Sequence, residues 1–216
     1  MRVSTNVEGL DQILRGGLIS GRSYLIHGPC GSGKTTVGFH FLSGADRALL
    51  VTFGEPEESL RADAKAIDLD IGRIAFLDLT PVAAAFGETQ TYDIFSPSEV
   101  ERESVTQRIS ATIEKVRPQR IFVDGFHLFR DLAADPFHYH RLVQSFFKFA
   151  TLHDCTLLLA SDSADAAAIV DGIIQLDYTR DGRFVRVTKF RGSDFHAGPH
   201  PMRLTGAGVQ VLPDAA

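Results

Sequence analysis

Gly28-Pro29-Cys30-Gly31-Ser32-Gly33-Lys34-Thr35 fits the pattern G-x-x-x-x-G-K-[ST] at every position. The short apolar run Ser23-Tyr24-Leu25-Ile26-His27 before it reads as a buried strand. After it, Thr36 to Leu42 carries Val37, Phe39, Phe41 and Leu42 and reads as an amphipathic helix. Strand, glycine-rich loop and helix is the setting in which this pattern makes a phosphate site. Its glycines let backbone N–H groups turn inward around phosphate oxygens, and the helix N-terminus adds partial positive charge. Gly28, Pro29, Cys30, Gly31, Ser32, Gly33, Lys34, Thr35 and Thr36 are therefore the expected nucleotide-binding residues. Lys34 reaches the β- and γ-phosphates, and the Thr35 hydroxyl takes a place on Mg²⁺. The expected ligand is a nucleoside triphosphate.

Outward from this loop, apolar strands alternate with helical stretches. Residues 48–53 and 74–77 read as further strands, with a helix between them that ends near Ile67. Residues 80–98 show no clean periodicity and read as a long surface loop, before a helix from about Ser96 to Val116. Arg120-Ile121-Phe122-Val123-Asp124 is a strand ending in a carboxylate, 137–153 a helix, and 156–160 a strand ending at Ser161-Asp162. From Ile169 onward the pattern changes to alternation around a turn at Arg180-Asp181-Gly182, the mark of a hairpin. Residues 1–22 carry a short helical pattern and two glycine turns, and read as a lid-like segment. The whole is one α/β domain over 1–216: a mostly parallel sheet with helices on both faces and a C-terminal antiparallel hairpin region over 172–212.

Two carboxylates suit the chemistry of a bound triphosphate. Asp124, at the end of a buried strand, is placed to hold Mg²⁺ with Thr35. Glu55, where the second strand ends, is the candidate base that orients the attacking water. Lys189 and Arg191 alternate in the hairpin strand, so both side chains leave one face, where they suit either a charged edge or a phosphate. Eight histidines invite a metal reading, but His138/His140 and His196/His200 lack helical ligand spacing and no Cys-x-x-Cys accompanies them. No transition metal is expected.

These residues resemble the KaiC family of RecA-type ATPases. The similar features are Gly9-Leu10-Asp11 with Gly16-Gly17-Leu18, the phosphate loop, Val51-Thr52-Phe53, Asp124 and Lys189-Phe190-Arg191-Gly192. The resemblance implies a RecA-like ATPase domain taking ATP and Mg²⁺, with Lys34 and Glu55 as catalytic residues. It also implies a homo-oligomer, a hexameric ring with ATP between subunits. Lys189, Phe190, Arg191, Ser193 and Thr205 would then contact the neighbour's nucleotide. Two departures stand out. The family's paired glutamates after the second strand become Gly54-Glu55, which implies slow hydrolysis. Its neighbouring Ser and Thr phosphoacceptors become Ala167 and Ala168, which implies no autokinase activity. The resemblance leads to a slow ATPase whose nucleotide state controls assembly or an unidentified protein partner; a non-hydrolysing ATP-binding scaffold is the alternative.

Composition sets the outer bounds. A hydrophobic content of 44% and a charged content of 23% are those of a globular protein. The net charge of −5 and the lack of a basic loop argue against nucleic acid as partner and against a DNA-handling role. No stretch approaches a membrane span and no signal-like N-terminus is present, so a cytoplasmic protein with no membrane partner is expected, with Cys30 and Cys155 as reduced thiols.

Overall fold

Short runs of Val, Leu, Ile and Phe can be buried on both faces only as inner strands of a covered parallel sheet. β3 (Ser23–His27), β4 (Ala48–Thr52), β6 (Arg120–Asp124) and β7 (Thr156–Ser161) are of this kind, buried almost throughout. The computed structural model, which describes residues 1–81 and 97–213, pairs them with β5 (Ala75–Asp78) and β8 (Gly172–Thr179) in parallel. β9 (Gly182–Phe190), β10 (His200–Thr205) and β11 (Gly208–Val211) extend the sheet antiparallel. The order across this 9-stranded sheet is β11-β10-β9-β8-β3-β7-β6-β4-β5. It is a mostly parallel α/β fold with a C-terminal antiparallel extension, as the sequence leads one to expect.

Alternation along each strand divides the core in two. Ile26, Leu50, Phe122 and Leu158 face α1 (Glu8–Ile13), α2 (Lys34–Ser43) and α3 (Glu57–Ala66). Leu25, Val51, Ile121, Val123 and Leu159 face the other layer. That layer holds α4 (Pro97–Val116), α5 (Pro136–Leu152) and a 3-10 helix over Phe126–Leu132. Asp135 starts α5 by accepting the His138 N–H at 2.9 Å, with Pro136 in the first helical position. No helix among the described residues is long and apolar enough to cross a membrane.

Two expectations change. The N-terminal segment is not a lid: β1 (Arg2–Val3) pairs with β2 (Leu18–Ile19), and Leu10, Ile13, Leu14 and Leu18 are buried in the first core layer. Its glycine turns let a short helix fold back onto the sheet. α2 is not amphipathic either, since Val37 through Leu42 are all buried. One side lies on the sheet at Phe122 and the other is covered by β11. A 3-10 helix follows Gly125 after β6; its buried Phe126 and Phe129 stack 5.2 Å apart. The long loop expected at 80–98 falls largely on residues 82–96, outside the described residues.

Enclosure of α2 leaves its one polar core side chain needing a partner, and His40 finds it in the last strand. The Val209 N–H donates to His40 Nε2 at 2.9 Å, so the ring is neutral and unprotonated at that nitrogen. Gly208 brings the chain this close: its φ is +91°, and a Cβ there would stand 2.1 Å from His40 Nε2. Burial holds the His40 pKa below the usual histidine value. The folded chain therefore binds fewer protons than the unfolded one near pH 6, and stability present above pH 6.5 is lost as pH falls through the folded pKa. The urea midpoint should fall further between pH 7.5 and 5.5 in the wild type than in His40→Gln, whose amide oxygen accepts the Val209 N–H at either pH. Equal falls would rule out His40 as the source.

Candidate functional site

Parallel pairing brings the chemistry-bearing residues to one edge of the sheet. His27 pairs with Ser161 across β3 and β7, and Leu159 with Val123 across β7 and β6. Gly28 onward, Asp162 and Asp124 thus leave three adjacent strands at the same level. The carboxyl ends of parallel strands are where such folds place ligands.

The loop itself is shaped for a phosphate. Gly33 caps α2 at φ +105°, a conformation costly for any side chain, and a Cβ there would press on Leu204 Cδ2 at 3.0 Å. Pro29, Cys30 and Gly31 are exposed. The Ser32 hydroxyl is buried and has no hydrogen-bond partner among the described residues. An unsatisfied buried hydroxyl inside a left-handed glycine turn is a donor that a phosphate oxygen would satisfy, so the residues present fit the group. Lys34 Nζ lies over the loop, donating to Gly28 O at 2.8 Å and Pro29 O at 3.0 Å. It also pairs with Asp162 Oδ1 at 2.8 Å.

Thr35 Oγ1 donates to Asp124, 3.2 Å from Oδ1 and 3.4 Å from Oδ2. This hydroxyl and carboxylate form the hard oxygen set that Mg²⁺ takes. Asp124 is 8% exposed. Burial, helped by the charge of Glu55, pushes its pKa up to about 6 against the pull of Thr35 and Lys34. Among the described residues there is no cluster of three or more His, Cys, Asp or Glu side chains for another metal.

Glu55 is fixed through its backbone: Thr52 Oγ1 donates to Glu55 O at 2.6 Å. Its side chain is exposed, near enough to Asp124 to be felt there. Gly54 does not need to be glycine for its conformation, since its φ is outside the left-handed region and a Cβ would meet only Leu128 Cδ1 at 3.9 Å.

The residues expected to serve a neighbour do not stand together. Lys189 pairs with Ile173, and the Arg191 N–H donates to Asp171 O, which puts both at the sheet edge opposite the phosphate loop. Ser193 is at that edge too, its hydroxyl accepting from Arg2. The Phe190 side chain turns inward, 6% exposed, with its ring 5.7 Å from that of Tyr24. It is a core residue. Thr205 ends β10, next to Leu204 on Gly33, so strand direction places it at the edge of its own phosphate loop.

Two residues at the loop went unread in the sequence. Arg183 Nη2 donates to Gly31 O at 3.0 Å while its guanidinium lies 4.2 Å over the Tyr178 ring. Asp162 holds Lys34. The signal for Asp162 was the one used for Asp124, an apolar strand ending in a carboxylate.

Clefts of about 690 and 700 Å³ lie elsewhere, one beside Ser43, Gly44 and Arg73, the other beside Asn6 and Gln12. Neither gathers the groups described above.

Ionised Asp124 carries a stability cost. A carboxyl whose folded pKa is raised stabilises the fold below its unfolded pKa of 3.8 and loses that contribution as pH rises through about 6. Asp124→Asn should therefore stabilise the nucleotide-free protein at pH 7.5 by up to about 3 kcal/mol, and the gain should vanish near pH 4. Urea unfolding at both pH values checks this; a variant less stable than wild type at pH 7.5 would contradict it.

A family model described as "ATPase: KaiC" matches residues 3–216. Among the relatives is the circadian clock oscillator protein KaiC of Synechococcus elongatus, 23% identical over 98% of this chain and 44% of its own length. Those of a Picosynechococcus species and of Prochlorococcus marinus are 24% and 22% identical over 98% of this chain, and 44% and 46% of theirs. The chain thus spans less than half the length of these relatives. With the phosphate loop, its magnesium-suited pair and the RecA-like sheet in place, the chain belongs to the KaiC ATPase family.

Proposed function

We propose that this P-loop protein binds Mg·ATP and hydrolyses it slowly within a homo-oligomeric ring, whose nucleotide state governs assembly or the binding of a protein partner. Lys34 and the loop N–H groups hold the phosphates, Thr35 and Asp124 hold Mg²⁺, and Glu55 orients water. Mg²⁺ when bound neutralises charge on the transferring phosphoryl group. Thr205 and Arg183 border the subunit's own nucleotide, whereas Lys189, Arg191 and Ser193 serve the next one.

One observation carries the ring. Arg191 is level with Ser23, four residues below His27, which is about 13 Å along the strand at 3.3 Å per residue. One strand, β8, lies between β3 and β9, the strand that Arg191 directly follows. Its side chain does not span that distance to its own loop, so a cationic role at a triphosphate has to be played for another subunit. ATP then favours the oligomer, and the oligomer tightens ATP by the same factor. In sedimentation velocity, Mg·ATP should shift the wild type to a larger species. Lys189→Ala combined with Arg191→Ala should stay small yet bind ATP weakly, and Lys34→Ala should lose binding. A wild type that remains monomeric at saturating Mg·ATP rules out the shared site.

Gly54 favours a second reading, an ATP-binding scaffold without turnover, because the family's first glutamate is missing. Open space at Gly54 makes the two separable. Gly54→Glu should raise steady-state phosphate release by about a hundredfold, the lower end of general-base effects, and Glu55→Gln should reduce what the wild type has. Turnover absent from the wild type and from Gly54→Glu would leave the scaffold.

A further inference from the structure

Lys34 has no free donor. A lysine ammonium carries three N–H donors, and Lys34 Nζ meets three acceptors: Gly28 O at 2.8 Å, Pro29 O at 3.0 Å and Asp162 Oδ1 at 2.8 Å. Before it can donate to a phosphate oxygen, one of these has to leave. The two carbonyls belong to the loop that cradles the phosphates, and their positions are fixed by its backbone. Asp162 is a side chain one residue past β7, 51% exposed beside a lysine that is 11% exposed. It can rotate into water at little cost.

We propose that Asp162 stands in for the γ-phosphate on Lys34 in the nucleotide-free protein, and so determines how strongly the site prefers ATP to ADP. Binding of the triphosphate is then an exchange of anions at one ammonium. ADP turns the carboxylate aside with its β-phosphate alone, whereas ATP brings both the β- and the γ-phosphate to Lys34 and so sets more negative charge beside Asp162. The displaced group remains at the end of β7, beside the phosphate loop, where like charge opposes the incoming anion. Asp162 therefore weakens ATP more than ADP. The inference rests on the nucleotide-binding reading of the loop, and adds a residue that sets its selectivity.

The test uses the full chain, wild type and the variants Asp162→Asn and Asp162→Ala, with Mg²⁺ present. Calorimetric titration with ADP and with the β,γ-imido analogue of ATP gives four affinities per comparison. Asp162→Asn should bind the ATP analogue roughly 3- to 30-fold tighter, the range expected for removing one partly exposed like charge, and ADP within about threefold of wild type. An ATP-analogue affinity unchanged or weakened in Asp162→Asn, with wild-type binding intact, overturns the exchange. Equal tightening of both nucleotides overturns the selectivity. A second measurement needs no nucleotide: brief acylation of free amines, mapped by peptide mass, with Lys65, Lys148 and Lys189 as internal references. Asp162→Ala should raise Lys34 labelling several-fold over those references. If the wild type binds neither nucleotide, the nucleotide reading itself fails, and unchanged Lys34 labelling would separately remove the ion pair.

Discussion

The parallel hydrogen-bond ladder that sets β3 between β7 and β8 is the constraint on which the site depends. β3 ends in the glycine loop, β7 ends in Asp162, and β6, one strand further, ends in Asp124. No single strand makes the site. Register fixes their common level, and a slip of one residue would turn every apolar side chain of β3 to the wrong face. Two dry core layers, one on each side of the sheet, hold that register in place. The polar edge is therefore ordered by apolar packing, with the chemistry grafted at the ends of the strands.

At that edge the charges oppose one another. Asp124 is buried with Glu55 near it and a single lysine to relieve them, and Lys34 is already engaged by Asp162. Such a site is less comfortable empty than filled. A polyanion bearing its own divalent cation supplies what each group lacks: an acceptor for the orphan Ser32 hydroxyl, a cation for Asp124 and an anion for Lys34. This is the usual exchange of stability for function at a binding site, here traceable to named groups.

Local chemistry was legible in the sequence and relative direction was not. The loop could be read because its eight residues carry their mechanism within themselves, and the strands because burial on both faces leaves an unbroken apolar run. The enclosure of α2 could not be read, since what covers it is a strand from the far end of the chain. Strand direction also escaped: Thr205 and Lys189 lie 16 residues apart in sequence yet at opposite edges, because β10 runs back antiparallel to β9. The resemblance implies Phe190 as a contact residue, but alternation turns its side chain inward onto Tyr24. Asp162 is legible only as a strand end, because its meaning depends on which strand lies beside it.

The bond between Val209 and His40 joins residues 169 positions apart. During synthesis, at about 5 to 20 residues per second, the helix that carries Lys34 is exposed for roughly 10 to 30 seconds before its cover is made. Throughout that interval Phe39, Phe41 and His40 lack the layer that encloses them. The helix thus spends its first moments as sticky surface. A growing chain of this design depends on being shielded, or on being translated quickly through its final strand.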